Sequence, residues 1–166
     1  ISSSAGGTPI NTTASVNSNS YSVTGLDLSS LNDGTLTLKA DVSDLAGNAA
    51  TQATDSTSKD STPPTIAISS DVASLKAGDT AKLSFALSEA STDFTDSDLT
   101  VSGGAISGFS GSGTSYSSTF TPSSNSTADG VISVASAKFS DSAGNTNSDG
   151  SDSNNSVTLS VDTVRP

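Results

Sequence analysis

The chain has 166 residues, a formal net charge of −11, and neither cysteine nor histidine. Disulfide bonds and thiolate metal sites are therefore excluded, and the commonest general base and metal-binding side chain is absent. The negative charge opposes binding to nucleic acid and to anionic lipid. Because the many serines have no histidine to activate them, we expect no enzymatic activity.

The acidic residues are nearly all aspartate. Glu89 is the single glutamate among 17 acidic residues, and serine and threonine make up roughly a third of the chain. Aspartate is common in turns and in oxygen-ligand metal sites, and it is disfavoured inside helices. The composition therefore indicates β-structure with polar loops, whose charge serves either solubility or cation binding. No apolar run approaches the length of a membrane span, so we expect no membrane insertion.

Residues 1–61 have the pattern of the C-terminal half of a small β-sandwich domain. No convincing strands A and B precede Asn11. We expect either that the domain is truncated, because the chain is a segment of a longer polypeptide, or that another segment supplies the two strands. Three strands are predicted: E at Tyr21 and Val23, F from Leu36 to Val42, and G from Ala50 to Ser58.

Residues 62–166 predict a complete antiparallel β-sandwich of about seven strands. Short segments of alternating apolar residues are separated by turn sequences such as Gly111-Ser112-Gly113 and Asp129-Gly130. The alternation breaks near Ile132, which predicts a bulge. The predicted strands are A (Thr65–Ser70), B (Thr80–Ser88), C (Leu99 and Val101), D (Ile106 and Phe109), E (Tyr116 and Phe120), F (Val131–Phe139) and G (Val157, Leu159 and Val161). The predicted fold class is all-β, with tandem sandwiches of which the first is incomplete.

Two short sequences recur in the same order about a hundred residues apart. Ser43-Asp44-Leu45-Ala46-Gly47-Asn48 is repeated as Ser140-Asp141-Ser142-Ala143-Gly144-Asn145. Each is followed by a segment that we call a seam: the first seam is Asp60–Pro64, and the second seam is Asp162–Pro166. A unit that repeats at the length of one small sandwich, with an acid and a proline at each seam, predicts domains joined in series.

The predicted up-and-down order of strands gathers the acidic residues at the two ends of the sandwich. The BC, DE and FG loops share the end at which the first seam arrives, and the other loops lie opposite. Carboxylates gathered in this way repel one another unless a cation lies between them, and Ca²⁺ accepts such oxygens in flexible geometry. The alternative is that they are ordinary turn residues in solvated loops. We predict one calcium site formed by Asp60, Glu89, Asp98, Asp141 and Asn145, and a half-site at the other end from Asp129 and Asp162.

The predicted FG loop contains a second pattern of oxygen donors. Asn145, Asn147 and Asp149 alternate and are followed by Gly150, as in the opening of an EF-hand loop. The glutamate that closes such a loop is missing, because Ser156 occupies its position, and no helices flank it. The sequence therefore argues against an EF-hand and leaves a loop able to wrap an ion.

The repeated motifs and the seams resemble those of the bacterial Ig-like repeats in giant Gram-negative surface adhesins of the RTX, type I-secreted class. The segments Glu89–Gly104 and Phe139–Asn145 are similar to one subgroup of these repeats. The resemblance covers residues 62–166 and the second half of residues 1–61. The sequence departs from the pattern because the first domain lacks its front half and the second seam lacks a double proline. The resemblance implies calcium ligands near the seams, at Asp60, Asp141, Asp162, Asp44, Glu89 and Asp98.

The function that this resemblance implies is mechanical. It is that of an extender on the bacterial cell surface, stiffened by Ca²⁺ at domain junctions, which projects a distal region for cell adhesion or biofilm formation. Its partners are then neighbouring Ig-like repeats of the same polypeptide, while other regions bind host or biofilm ligands. Two alternatives remain open: an Ig-like module that binds glycan or protein, and a strand-exchanging subunit of a surface fibre or lattice. The chain has no tryptophan, and its tyrosines and phenylalanines fall mostly on predicted strand faces, which disfavours a glycan platform.

Overall fold

The computed structural model describes residues 1–16 and 20–166, in which the regular elements are β-strands and two short 3₁₀ turns. Contacts divide the chain into two compact units, residues 1–62 and residues 63–166. The strands of the first unit are β1 (Ser2–Ser3), β2 (Gly34–Ala40) and β3 (Ala53–Lys59). Those of the second unit are β4 (Ile66–Ser70), β5 (Ser74–Lys76), β6 (Ala81–Ser91), β7 (Leu99–Ser102), β8 (Gly104–Pro122), β9 (Gly130–Val134) and β10 (Ser156–Asp162).

The first unit contains a three-stranded antiparallel sheet in the order β1-β2-β3. β2 and β3 correspond to the predicted strands F and G, and they pair along their full lengths. Leu31 and Leu36 are the buried hydrophobic side chains among the described residues of this unit. β1 was not expected, because a strand of two residues has no periodicity that a sequence can show.

The strand E predicted in the first unit is wrong. The segment around Tyr21 and Val23 forms no strand, and the two side chains are 58% and 39% exposed. Two alternating apolar residues are a weak signal, and they form a strand only where a sheet is available to pack against. The predicted ends also shift, because β2 stops at Ala40 and β3 starts at Ala53.

The first unit leaves exposed two apolar positions that the second unit buries. Matched from the Asp-Gly pair that precedes each strand, Asp33-Gly34 and Asp129-Gly130, Leu38 corresponds to Val134. Matched from the repeated motif, Val42 corresponds to Phe139. Leu38 and Val42 are 36% and 50% exposed, whereas Val134 and Phe139 are 1% and 2% exposed. In the second unit both positions belong to the hydrophobic core. The described part of the first unit has a single sheet, so its core is much smaller.

The second unit is a β-sandwich of two sheets. One has the order β4-β6-β8, and the other has the order β5-β10-β9-β7. Paired strands are antiparallel except that β5 runs parallel to β10. The alternation predicted for strand B holds in β6, where Leu83, Phe85 and Leu87 are buried and Lys82 and Ser84 are exposed. The predicted all-β antiparallel sandwich is therefore confirmed.

Aromatic rings tie the loops at one end of the second unit to its core. Phe94, in the loop after β6, lies 5.1 Å from Tyr116, 5.2 Å from Phe139, 5.6 Å from Phe109 and 5.9 Å from Phe85, measured between ring centroids. All four pairs are edge-on, the geometry that aromatic rings favour. Because Phe139 follows β9, this ring cluster joins the loop after β6 to the loop after β9.

The predicted strands D and E form one continuous element, β8, rather than two separate strands. Its 19 residues would measure about 60 Å if straight, whereas its partner β6 has 11 residues. The start of β8 instead lies against its end. A Cβ atom on Gly104 would approach the Thr121 carbonyl oxygen to 2.3 Å, and one on Gly111 would approach the Ser115 carbonyl oxygen equally closely. β8 therefore doubles back at the predicted Gly111–Gly113 turn. The turn is so tight that the residues on both sides of it form one continuous strand.

Two further features of the second unit differ from the prediction. β9 ends at Val134 rather than Phe139, and its pairing is regular through Ile132, so the predicted bulge is wrong. The chain changes direction later, at Ala137, which has a φ of 59°. β5 was missed because it has three residues and one buried side chain, Leu75, which is too little to show a period.

Candidate metal centre

Three carboxylates gather near the start of the second unit. Asp60 lies in the first seam, Glu89 near the end of β6, and Asp141 in the loop after β9. One carboxylate oxygen of each lies within 4.8 Å of the other two, and no other such group of three occurs in residues 1–16 and 20–166. Two ligands on opposite sides of one Ca²⁺ are about 5 Å apart. The three oxygens are therefore close enough to share a cation.

Asp141 is held in place by a tight turn of its own. Its Oδ1 accepts the backbone N–H groups of Ala143, Gly144 and Asn145 at 2.7–2.9 Å, and its Oδ2 accepts Nδ2 of Asn145 at 2.8 Å. Burial of Asp141 opposes its ionisation, but the hydrogen bonds from Asn145, Ala143 and Gly144 together outweigh it and lower its pKa. The side chain therefore stays negative and fixed in direction, with a lone pair of Oδ2 left for another partner.

The same turn forms at the first copy of the repeated motif. Oδ1 of Asp44 accepts the N–H groups of Ala46 and Asn48, and its Oδ2 accepts Nδ2 of Asn48 at 2.8 Å. The side-chain hydrogen bond from Asn48 is the largest cause of a lowered pKa for Asp44. The spacing shared by the two copies of the motif is thus explained by local structure: the aspartate closes the turn, and the asparagine four residues later completes it. Asp44 is exposed, and within the described structure it belongs to no group of three carboxylates like the one that contains Asp141.

Asp93, which the sequence did not single out as a ligand, joins the end of β6, near Glu89, to the loop that bears Asp141. Its Oδ1 accepts the backbone N–H of Ser140 at 2.9 Å and the hydroxyl of Ser91 at 2.7 Å. Its Oδ2 accepts a short hydrogen bond from the Ser140 hydroxyl. Ser140 is the first residue of the repeated motif, so that Asp93 fixes the start of the Asp141 turn. The only sequence signal was that Asp93 lies between the predicted strands B and C, in a segment that also contains Asp96 and Asp98.

Asn147 and Asp149 both make hydrogen bonds that support the loop after β9. Oδ1 of Asn147 accepts the N–H of Lys138 at 2.8 Å, and its Nδ2 donates to Oδ1 of Asp149 at 3.1 Å. Oδ2 of Asp149 accepts the N–H of Ile66 at 2.7 Å. Both side chains are buried. Asp149 thus holds this loop to β4, and Asn147 holds together two parts of the loop itself. That the loop wraps an ion stays a prediction.

The other predicted ligands lie outside the group of three carboxylates. Asp98 accepts the backbone N–H and the hydroxyl of Thr95 at 2.7 and 3.1 Å, at the start of a 3₁₀ turn. Asn145 is bonded to Asp141. At the other end, Oδ1 of Asp162 accepts the N–H of Val164 at 3.1 Å, and Asp129 is exposed just before β9. That these residues bind calcium stays a prediction.

The donor set fits a hard divalent cation. Carboxylate oxygens are the preferred ligands of Ca²⁺, which takes six to eight oxygens and tolerates irregular geometry. The chain has no histidine, cysteine or methionine to favour a softer metal. Asp60, Glu89 and Asp141 would hold the ion, with water completing its coordination, and the ion would neutralise three carboxylates held close together.

The comparison with protein families agrees with the sandwich. A family described as bacterial Ig-like domain matches residues 60–158, more than half of the chain. The chain belongs to the bacterial Ig-like domain family. The Ig-like domain so defined begins at Asp60, and Asp60, Glu89 and Asp141 all fall inside it. The fold class of this family is not an enzymatic one, and bacterial Ig-like domains are typically found on surface proteins.

Two other comparisons and a search for membrane spans give negative results. No curated protein and no solved structure matches the chain. In the part of the chain that the structure describes, no helix has the length and apolar character needed to span a membrane.

Proposed function

We propose that the chain is an extender segment of a large bacterial surface adhesin, stiffened by Ca²⁺ at the seams between Ig-like domains. The observation that supports the calcium site is the group formed by Asp60, Glu89 and Asp141. Asp60 lies in the first seam, so an ion held by all three ties the seam to the Ig-like domain. The resemblance to RTX, type I-secreted adhesins supports export to the cell surface, with adhesion or biofilm ligands bound by other regions.

Stiffening follows from simple electrostatics. Without a cation, three neighbouring carboxylates repel one another and favour separation of the seam from the loops after β6 and β9. A bound Ca²⁺ reverses the sign of this interaction and cross-links the three segments. Neighbouring Ig-like repeats then act as spacers of fixed direction, and their combined length determines the reach of a distal binding region.

Calcium titration with thermal unfolding tests the site. At a free calcium concentration of one hundred times Kd, binding to the folded state adds about 2.7 kcal/mol, which raises Tm of a domain of this size by roughly 10–20 °C. Glu89→Gln should abolish most of the increase, because it removes one ligand charge. Asp96→Asn is the matched control and should retain it, because Asp96 is exposed, lies outside the group and is not among the predicted ligands. An unchanged Tm of the parent protein at millimolar calcium would refute the site.

A strand-exchanging subunit is a second function that one observation favours. Leu38 and Val42 are exposed although their counterparts in the second unit are buried in its core. Strands from a neighbouring polypeptide could cover the same positions in the first unit. Sedimentation velocity at increasing protein concentration tests it: a single monomeric species would exclude self-exchange.

Glycan binding gains no such support, because Tyr21 is the one largely exposed aromatic side chain among the described residues.

A further inference from the structure

Asp33 is the centre of a hydrogen-bond network at the end of the first unit. It lies immediately before β2, and its carboxylate accepts Nζ of Lys59 at 2.5 Å. It also accepts the backbone N–H and the hydroxyl of Ser61, both at 2.9 Å, and the hydroxyl of Thr62 at 3.2 Å. Lys59 and Ser61 flank Asp60, so that Asp33 holds the chain on both sides of the residue that begins the Ig-like domain.

The charge of Asp33 makes this network strong. The hydrogen bond from the Lys59 ammonium group, followed by those from Ser61, keeps the pKa of Asp33 far below its usual range. The carboxylate is therefore ionised at every physiological pH. Hydrogen bonds to an ionised acceptor are shorter and stronger than those between neutral groups.

The next fixed point along the chain is Thr65. Its backbone N–H donates to the hydroxyl of Ser88, and its carbonyl accepts the backbone N–H of Ser88, both at 2.9 Å. Only Pro63 and Pro64 separate Thr65 from Thr62, the last residue bound by Asp33. Proline fixes φ, and a residue before proline has a restricted ψ. Few backbone angles are therefore free between these two points of attachment.

We propose that Asp33 is a cation-independent lock on the first seam. It fixes the direction in which the chain leaves β3, and the two prolines carry that direction forward. The inference deepens the proposed extender function, because it predicts that the seam keeps part of its stiffness at low calcium. It does not depend on the calcium site, since the network uses side chains and backbone groups of residues 33–62 alone.

Distances between spin labels test the lock. The chain has no cysteine, so Ser56→Cys on β3 and Ser84→Cys on β6 give two labels, one in each unit. We expect Asp33→Asn to broaden the distance distribution in EGTA at least twofold. Asp55→Asn is the matched control: Asp55 is exposed on β3 and its carboxylate accepts the N–H of the adjacent Ser56. Equal widths for Asp33→Asn and Asp55→Asn would overturn the proposal.

Amide hydrogen exchange provides an independent local measurement. Loss of one bond to a charged acceptor should speed exchange of the Ser61 amide about tenfold in Asp33→Asn. If that variant unfolds the first unit, Ser61→Ala combined with Thr62→Val removes two hydroxyl donors and leaves the pair of Asp33 with Lys59 intact. Broadening in this double variant supports the lock, and an unchanged width refutes it.

The two proposals fail in different ways. If calcium changes neither Tm nor the distance distribution while Asp33→Asn broadens it, the calcium site is wrong and the lock stands. If EGTA alone makes the parent protein as flexible as the Asp33→Asn variant, the lock is wrong and calcium carries the stiffness.

Discussion

Replacing Phe94 with alanine should destabilise the second unit and weaken the candidate metal centre together. Phe94 is 3% exposed, and its ring meets those of Phe85, Phe109, Tyr116 and Phe139 at 5.1–5.9 Å. Truncating a buried phenylalanine costs about 3–5 kcal/mol, and four lost edge-on contacts place this site near the upper end. For a unit of about a hundred residues, Tm should fall by roughly 15–30 °C.

The effect on calcium binding distinguishes the role of Phe94 in joining the two loops from a general loss of core packing. Phe94 joins the loop that follows Glu89 to Phe139, two residues before Asp141, so its removal should raise the apparent Kd for calcium about tenfold or more. Phe120→Ala is the matched control, because Phe120 is also fully buried but its ring lies beside Gly104 and Gly130 rather than in the Phe94 cluster. It should lower Tm by a similar amount and leave Kd unchanged. Isothermal calorimetry and differential scanning calorimetry measure both quantities. Equal changes of Kd in the two variants, or a fall in Tm below about 5 °C for Phe94→Ala, would refute the argument.

Three further outcomes are expected. Asn147→Ala should lower the free energy of unfolding of the second unit by about 2–3 kcal/mol, because buried partners lose their bonds; urea unfolding measures it, and a loss under 0.5 kcal/mol would contradict the network. The lowered pKa values of Asp33 and Asp141 mean that their contribution to stability is complete above the unfolded pKa near 4 and is lost as the pH falls below it. Urea midpoints should therefore be flat from pH 5 to 7 and fall toward pH 2.5, and a flat profile throughout would disprove the assignment. Gly130→Ala should destabilise the second unit by about 1–3 kcal/mol, because its Cβ would lie 2.5 Å from the Phe120 ring; an unchanged Tm would show that the ring can move away.

The strands of the second unit were predictable where burial imposes a period on the sequence. β6 alternates because one face packs in the core, and every second residue from Ala81 to Leu87 is buried. The pattern carried no information for β5, whose pairing with β10 is decided by tertiary contacts. The glycines of β8 also led to a prediction of two strands. The sequence indicates a turn at Gly111, but it does not show how tightly the chain doubles back there.

The group of three carboxylates could be anticipated from topology rather than from spacing. Asp60, Glu89 and Asp141 are far apart in sequence, and an up-and-down strand order was enough to place them at one end of the sandwich. The same reasoning could not separate Asp98 from this group, since placing a loop at one end does not fix the direction of its side chains. Asn147 had the residue type of a ligand, and only the packed structure shows that its amide supports backbone groups.

The parallel pairing of β5 with β10 determines how the second unit responds to a pulling force. The chain passes through β5 soon after entering this unit, and it leaves through β10, with Ser74, Leu75 and Lys76 beside Ser160, Val161 and Asp162. Tension on the two termini drags these neighbouring strands in opposite directions along their length. Their backbone hydrogen bonds are then loaded in shear and must rupture together, whereas an antiparallel hairpin pulled from its open end unzips one bond at a time. Separating β5 from β10 under such a load therefore requires that this three-residue contact be sheared as a whole.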